Sequence, residues 1–144
     1  MKQLLAGHLA SLGHHVSDLG THSEESVDYP DFAAAVGRRV ASGEADLGVC
    51  VCGTGIGMTI AANKVPGVRA ALVHDVSSAR LGREHNDANV LCFGGLLTGT
   101  KAAVDALDAF LQARFEGGRH LVRIEKIAAL EAGPSANGSA RART

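Results

Sequence analysis

The chain has 144 residues and a formal net charge of −1, with 46% hydrophobic and 20% charged residues. That balance supports one globular domain with a sizeable core and excludes the broad basic footprint that duplex binding needs. With no Trp, one Tyr and four Phe, it also lacks the flat side chains of a single-strand stacking platform. No stretch reaches the ~18 apolar residues of a membrane span, and the opening residues do not read as a signal peptide. Three cysteines make no disulfide framework and suit a reducing compartment, so the expected location is cytoplasmic.

In chain order, Leu5, Leu9 and Leu12 at helical spacing predict a helix over 3–12, stopped by Gly13. A short strand is expected at 15–19, then a polar loop to Tyr29, then a helix opened by Pro30 and running to Gly43. The apolar run 46–52 (DLGVCVC) has the character of a strand covered on both faces. A glycine turn and a short helix through Lys64 follow. Further strands are expected at 68–73 and 89–93, with helices at 77–85, 98–115 and 121–132. Residues 1–132 are read as a single domain and 133–144, GPSANGSARART, as a disordered tail. Strands alternating with helices imply an open, doubly wound α/β layer with parallel pairing. Ligands in such folds bind at the carboxyl ends of the strands. The chemistry is therefore expected just after Cys52, Val73 and Phe93.

Three clusters could carry it. Cys52-Gly53-Thr54-Gly55-Ile56-Gly57-Met58 joins a buried strand to a helix; glycines let the backbone approach a ligand, and the helix start offers N–H groups to an anion. The spacing G-x-G-x-G is neither the dinucleotide fingerprint nor a P-loop, because Lys64 lies too far on. Cys50, two residues back on the same strand face, reads as core, as does Cys92. Cys52 is aimed at the N–H cluster, a setting that commonly favours a thiolate. Cys50-x-Cys52 makes a poor zinc half-site, with no second ligand pair at structural spacing. The second cluster is Arg83-Glu84-His85-Asn86-Asp87, where His85 reads either as a functional group or as a plain helix-end histidine. The third is Gly117-Gly118-Arg119-His120-Leu121-Val122-Arg123. Arg119 and Arg123, four apart, share a helix face and suit a phosphate, unless Glu116 or Glu125 compensates them.

Together, GTHSEESVDYPDFA (20–33), GEADLGVCVCGTGIGMTIAANKVPGVRAAL (43–72), REHNDANVLCFGG (83–95) and EGGRHLVRIEKIAALE (116–131) resemble the ribose-5-phosphate isomerase B and galactose-6-phosphate isomerase family over nearly all of residues 1–132. The resemblance implies a Rossmann-like αβα sandwich with a mostly parallel sheet. It also implies a homodimer or dimer of dimers with the site at the subunit interface. The implied reaction interconverts ribose 5-phosphate and ribulose 5-phosphate, a step of the pentose phosphate pathway, through a cis-enediolate. Cys52 matches the base; Thr54 and the backbone of Gly53, Gly55 and Gly57 match the loop that holds substrate oxygens. His85 matches the acid that helps open the furanose ring, Asn86 a substrate contact, and Arg119 and Arg123 the phosphate clamp. No metal or cofactor is implied, and the partners are a phosphorylated sugar and a second copy, with no nucleic acid or membrane. Leu96 stands where relatives often carry an arginine. Family members also begin with a strand ending in G-x-D-H-x-G, and residues 1–144 are expected to lack it. The nearest alternative lies within the family, an isomerase of galactose 6-phosphate, allose 6-phosphate or a tetrose phosphate; alternatives from other classes are a non-catalytic sugar-phosphate- or nucleotide-binding module and a thiol redox protein.

Overall fold

A computed structural model describes residues 1–133; the expected tail, apart from Gly133, lies outside them. The helix Lys2–Ser11 (α1) ends at Gly13, whose φ of 88° lets the His14 N–H turn back to the Leu9 carbonyl. Tyr29–Ala41 (α2) carries its proline in the first turn. Then come Gly48–Cys52 (β1), Ile56–Ala62 (α3), Ala70–Val73 (β2), Val76–Asn86 (α4), Val90–Gly94 (β3), Thr100–Gln112 (α5) and Arg119–Glu131 (α6). Helix α4 starts from a capping box: Asp75 accepts the Ser78 N–H at 2.7 Å, and the Ser78 hydroxyl takes the Asp75 N–H at 3.4 Å.

The three strands are parallel in the order β1-β3-β2, with Gly48 beside Val90, Cys52 beside Gly94 and Ala70 beside Val90. The central strand β3 is buried along its whole length, and its side chains alternate between two cores. Leu91 and Phe93 join Leu5, Val73, Ala79, Leu107 and Phe110 beneath α1, α4 and α5. Val90 and Cys92 join Ala33, Cys50, Met58, Ala62 and Val68 beneath α2 and α3. Helices thus cover both sheet faces, the expected αβα sandwich.

The strand expected at 15–19 does not form. A strand needs a ladder partner, and between this segment and the outer edge of β1 lies a cavity of about 690 Å³. Lys2 holds the segment instead, with its ammonium 2.8 Å from Asp18 Oδ2 and donating to the Thr21 carbonyl. The same contact, helped by the Gly20 N–H, keeps the Asp18 carboxyl below its ordinary pKa.

Candidate active site

At the carboxyl end of the sheet, β1 delivers Cys52 into the glycine turn. Gly55 adopts φ 78°, and a Cβ there would lie 2.5 Å from Leu72 Cδ1 and 2.9 Å from the Phe93 carbonyl carbon, so only glycine fits. This geometry points the Gly55 N–H at Cys52 Sγ, 3.1 Å away. Thr54 Oγ1 accepts the Ile56 N–H at 3.3 Å, which leaves its own O–H able to donate. The turn after β3 braces the loop: the Gly95 N–H donates to the Cys52 carbonyl at 2.7 Å and the Leu96 N–H to the Gly53 carbonyl at 2.9 Å. Leu96 itself is 84% exposed. Tyr29 presses its hydroxyl against Gly57 from α2, where any side chain would collide with it.

Cys50 and Cys92, register partners behind this turn, are both buried. The hydrogen bond between them, with burial, pushes the Cys50 thiol far above its ordinary pKa. Cys50 is therefore a core thiol, and Cys52 is the accessible one of the three.

The other residues singled out in the sequence meet one another elsewhere. Asp87 closes α4 in the left-handed conformation, φ 45°. Arg83 Nη1 donates to one of its carboxylate oxygens at 2.5 Å and Arg69 Nη2 to the other at 3.0 Å. Arg69 Nε also reaches the carbonyls of Asn86 and Asp87, at 3.1 and 2.9 Å. Thus His85 and Asn86 sit on a helix end held by two guanidinium groups. Against His85 lies His120, the rings stacked with centroids 4.3 Å apart and planes 9° from parallel. Glu116 places one carboxylate oxygen 3.8 Å from His85 Nε2 and 3.7 Å from His120 Nε2. Its backbone N–H donates to the Glu84 carbonyl. His120 is only 6% exposed. Burial, then His85, Arg119 and Arg123, lower its pKa from 6.5, with Glu116 opposing. Arg119 and Arg123 lie on α6 four residues apart, exposed, and neither forms an ion pair among the described residues.

His85, Glu116 and His120 are also a possible cation-binding group, with donor atoms within 4.8 Å of one another. Their arrangement does not suit an ion. Stacked rings direct their lone pairs in parallel planes, so both cannot meet one metal as they stand. The charges of Arg119 and Arg123, which already bear on His120, favour an anion.

The sequence pattern placed the chemistry just after Cys52, Val73 and Phe93, at the carboxyl ends of the strands; of the candidate residues, Cys52, Thr54 and the glycine turn lie there. In a parallel sheet the helix after β2 must run back to where β3 begins. So α4 carries His85 and Asn86 to the opposite end, and α6 joins them. The length of β1, four residue steps or about 13 Å, lies between the two ends of the sheet. The sequence reading gave no role to Tyr29 or Arg69, and it named Asp87, Glu116 and His120 without the contacts they make here. Tyr29 and His120 stand within the quoted stretches 20–33 and 116–131, but nothing local signals what they touch.

A family model described as Ribose/Galactose Isomerase matches residues 1–127. Ribose-5-phosphate isomerase B of Escherichia coli K12 is 47% identical over 131 residues, 91% of this chain and 88% of the relative. A galactose-6-phosphate isomerase subunit LacB of Clostridium acetobutylicum is 47% identical over 116 residues, 81% of this chain and 67% of that protein. Among solved structures, ribose-5-phosphate isomerase B of Clostridium thermocellum superposes with a TM-score of 0.90 at 50% identity, covering 91% of this chain and 88% of that one. The enzyme of that name from Mycoplasma genitalium, solved with ribulose-5-phosphate bound, gives 0.89 at 43% identity, covering 92% and 89%. The chain belongs to the ribose/galactose isomerase family.

Proposed function

We propose that the protein interconverts ribose 5-phosphate and ribulose 5-phosphate, acting in the cytoplasm as a dimer or dimer of dimers. The observation that carries this is the Cys52 turn: a thiol with a backbone N–H on its sulfur, set in a loop of glycines. The reading is supported by the relatives named ribose-5-phosphate isomerase B and by one of them binding ribulose-5-phosphate.

In the forward direction His85 gives a proton to the furanose ring oxygen, the C1–O4 bond breaks and the anomeric hydroxyl releases its proton, so the opened chain carries an aldehyde at C1. Cys52 Sγ then removes the proton from C2. The electron pair moves into the C1–C2 bond and the C1 oxygen becomes an oxyanion, giving a cis-enediolate. Backbone N–H groups of the glycine turn and the Thr54 hydroxyl receive that charge; such donors are typically worth about 3 kcal/mol each. The C2 hydroxyl proton passes to the C1 oxygen, and return of the thiol proton to C1 then leaves C2 as the carbonyl, giving the ketose and restoring Cys52. Arg119 and Arg123 hold the phosphate, and Asn86 contacts the sugar.

Because Cys52 and His85 lie at opposite ends of one sheet, one copy supplies the turn and a second supplies His85, Asn86, Arg119 and Arg123. Apolar side chains flank both ends: Ile56, Ile60, Leu96 and Leu97 near the turn, and Leu121, Val122, Ile127 and Leu130 along α6, all exposed in a single copy. Two such faces suit burial against another copy. The free thiols suit a reducing compartment.

The decisive measurement is a direct isomerase assay on purified protein with ribose 5-phosphate, allose 6-phosphate, galactose 6-phosphate and a tetrose phosphate. Turnover on ribose 5-phosphate well above the others is expected. Preference for a hexose phosphate would replace the substrate, and no turnover on any would leave a binding module.

A further inference from the structure

The mechanism above leaves His120 without a task, although it is the buried member of the His85 group, only 6% exposed. Two contacts define it. Its ring face lies on His85 at 4.3 Å, almost parallel, and its Nε2 faces the Nε–H of Arg119 at 3.5 Å. A guanidinium cannot accept, so in this contact His120 Nε2 presents its lone pair and the ring proton sits on Nδ1; Glu116 Oε2, 3.7 Å from the same nitrogen, lies beyond hydrogen-bond reach. We infer that His120 is a positioning residue that links the two halves of substrate handling at this end of the sheet, setting the ring plane of His85 through the stack and the guanidinium of Arg119 through Nε2.

Each contact constrains something the neighbours leave loose. His85 is half-buried on the last turn of α4, and Glu116, the other group beside its ring, is more than half exposed and 3.8 Å away. The stack with a buried ring is the contact that restrains its χ2. Arg119 opens α6 after two glycines with positive φ, Gly117 and Gly118, and its long side chain has no carboxylate partner among the described residues. A fixed acceptor on the adjacent residue limits the rotamers it can sample. The burial and neighbouring cations that lower the pKa of His120 keep it neutral, as an acceptor must be.

This inference rests on the proposed isomerase reading, and two substitutions separate its two arms. His120→Phe keeps a flat ring on His85 and removes the acceptor. Turnover should stay within about twofold of the parent, while KM for ribose 5-phosphate and the inhibition constant of inorganic phosphate rise about tenfold. His120→Gln keeps an acceptor near Arg119 and removes the ring. Turnover should fall about tenfold, with phosphate inhibition little changed. A residue that only fills the core would move both constants together in both variants, and that result, or no change in either variant, overturns the inference. If either variant folds poorly, ¹⁵N–¹H correlation of the wild-type imidazoles at pH 7.5 decides. A neutral His120 protonated at Nδ1 upholds it, and an Nε2–H tautomer or an imidazolium refutes it. An inactive wild-type protein would count against the isomerase reading, while the tautomer would still test the geometry.

Discussion

The two ends of the sheet are built by different means. Around Cys52 the backbone does the positioning: the Gly55 N–H on the sulfur, the Gly95 and Leu96 N–H groups on the carbonyls of Cys52 and Gly53, and close approaches that only glycine permits. Around His85 side chains position one another: Arg69 and Arg83 on Asp87, His120 on His85, Glu116 beside the Nε2 atoms of both rings. A backbone cradle is fixed once the strand and turn fold, whereas a side-chain cluster loses its order piece by piece. The first suits a reacting centre, whose donors must not reorganise. The second suits capture and release of a charged, flexible substrate.

Substitutions should reveal this contrast. The largest effect is expected for Cys52→Ser, which should lower turnover by about 10²–10⁴-fold with an unchanged melting temperature; Cys50→Ser should leave turnover near normal. Near-normal turnover of the Cys52 variant would remove it as the base. Next comes complementation between the two ends. In a site shared by two copies, mixing Cys52→Ser and His85→Ala subunits after unfolding and refolding should restore about a quarter of wild-type activity, since half the dimers carry one intact site. No recovery would mean that each copy uses its own residues. Arg123→Ala should raise KM for ribose 5-phosphate by roughly tenfold or more, from the loss of a charge-assisted hydrogen bond, and weaken inhibition by inorganic phosphate in parallel. Unchanged phosphate inhibition would place the clamp elsewhere.

The smallest effect is a pH dependence of stability confined to the His85 end. His120 has a folded-state pKa below its ordinary 6.5, so below about pH 6.5 the unfolded chain binds more protons than the folded one. Stability should therefore decline as pH falls through 6.5 and level off once His120 is protonated in the folded state. Asp18, lowered from 3.8 by Lys2, adds its loss only in more acid solution, so the two windows separate. Denaturant midpoints for wild type and His120→Phe between pH 8 and 5 would show it; identical slopes would exclude His120 as the source.

Much of the fold was legible because the signals are local. The apolar runs in 46–52 and 89–93 mark strands, and Gly13 and Pro30 mark helix boundaries. All were found within a few residues of where the pattern put them. The segment 15–19 misled because strand-like composition does not supply a ladder partner. The turn at Cys52 could be read as a site because its glycines encode geometry directly. The other end could be read only as residue types. His85 and His120 are 35 positions apart in chain, and Arg69 reaches across 18 positions to Asp87; such pairs are fixed by packing, not by neighbouring residues. The separation of the two ends follows from parallel pairing and could have been deduced, had the helix directions been followed as closely as the strand ends.

The three thiols also make the protein its own reporter. Cys52 lies at the mouth of the turn, while Cys50 and Cys92 face each other between β1 and β3 beneath α3. An alkylating reagent added to the native protein should therefore consume one equivalent quickly and the remaining two only as the strands part. The slow fraction times the opening of the central sheet, and the fast fraction counts vacant sites. Adding sugar phosphate should slow the fast fraction and leave the intrinsic alkylation chemistry of the buried pair untouched. A single labelling curve would thus give occupancy and local unfolding together, without an introduced probe.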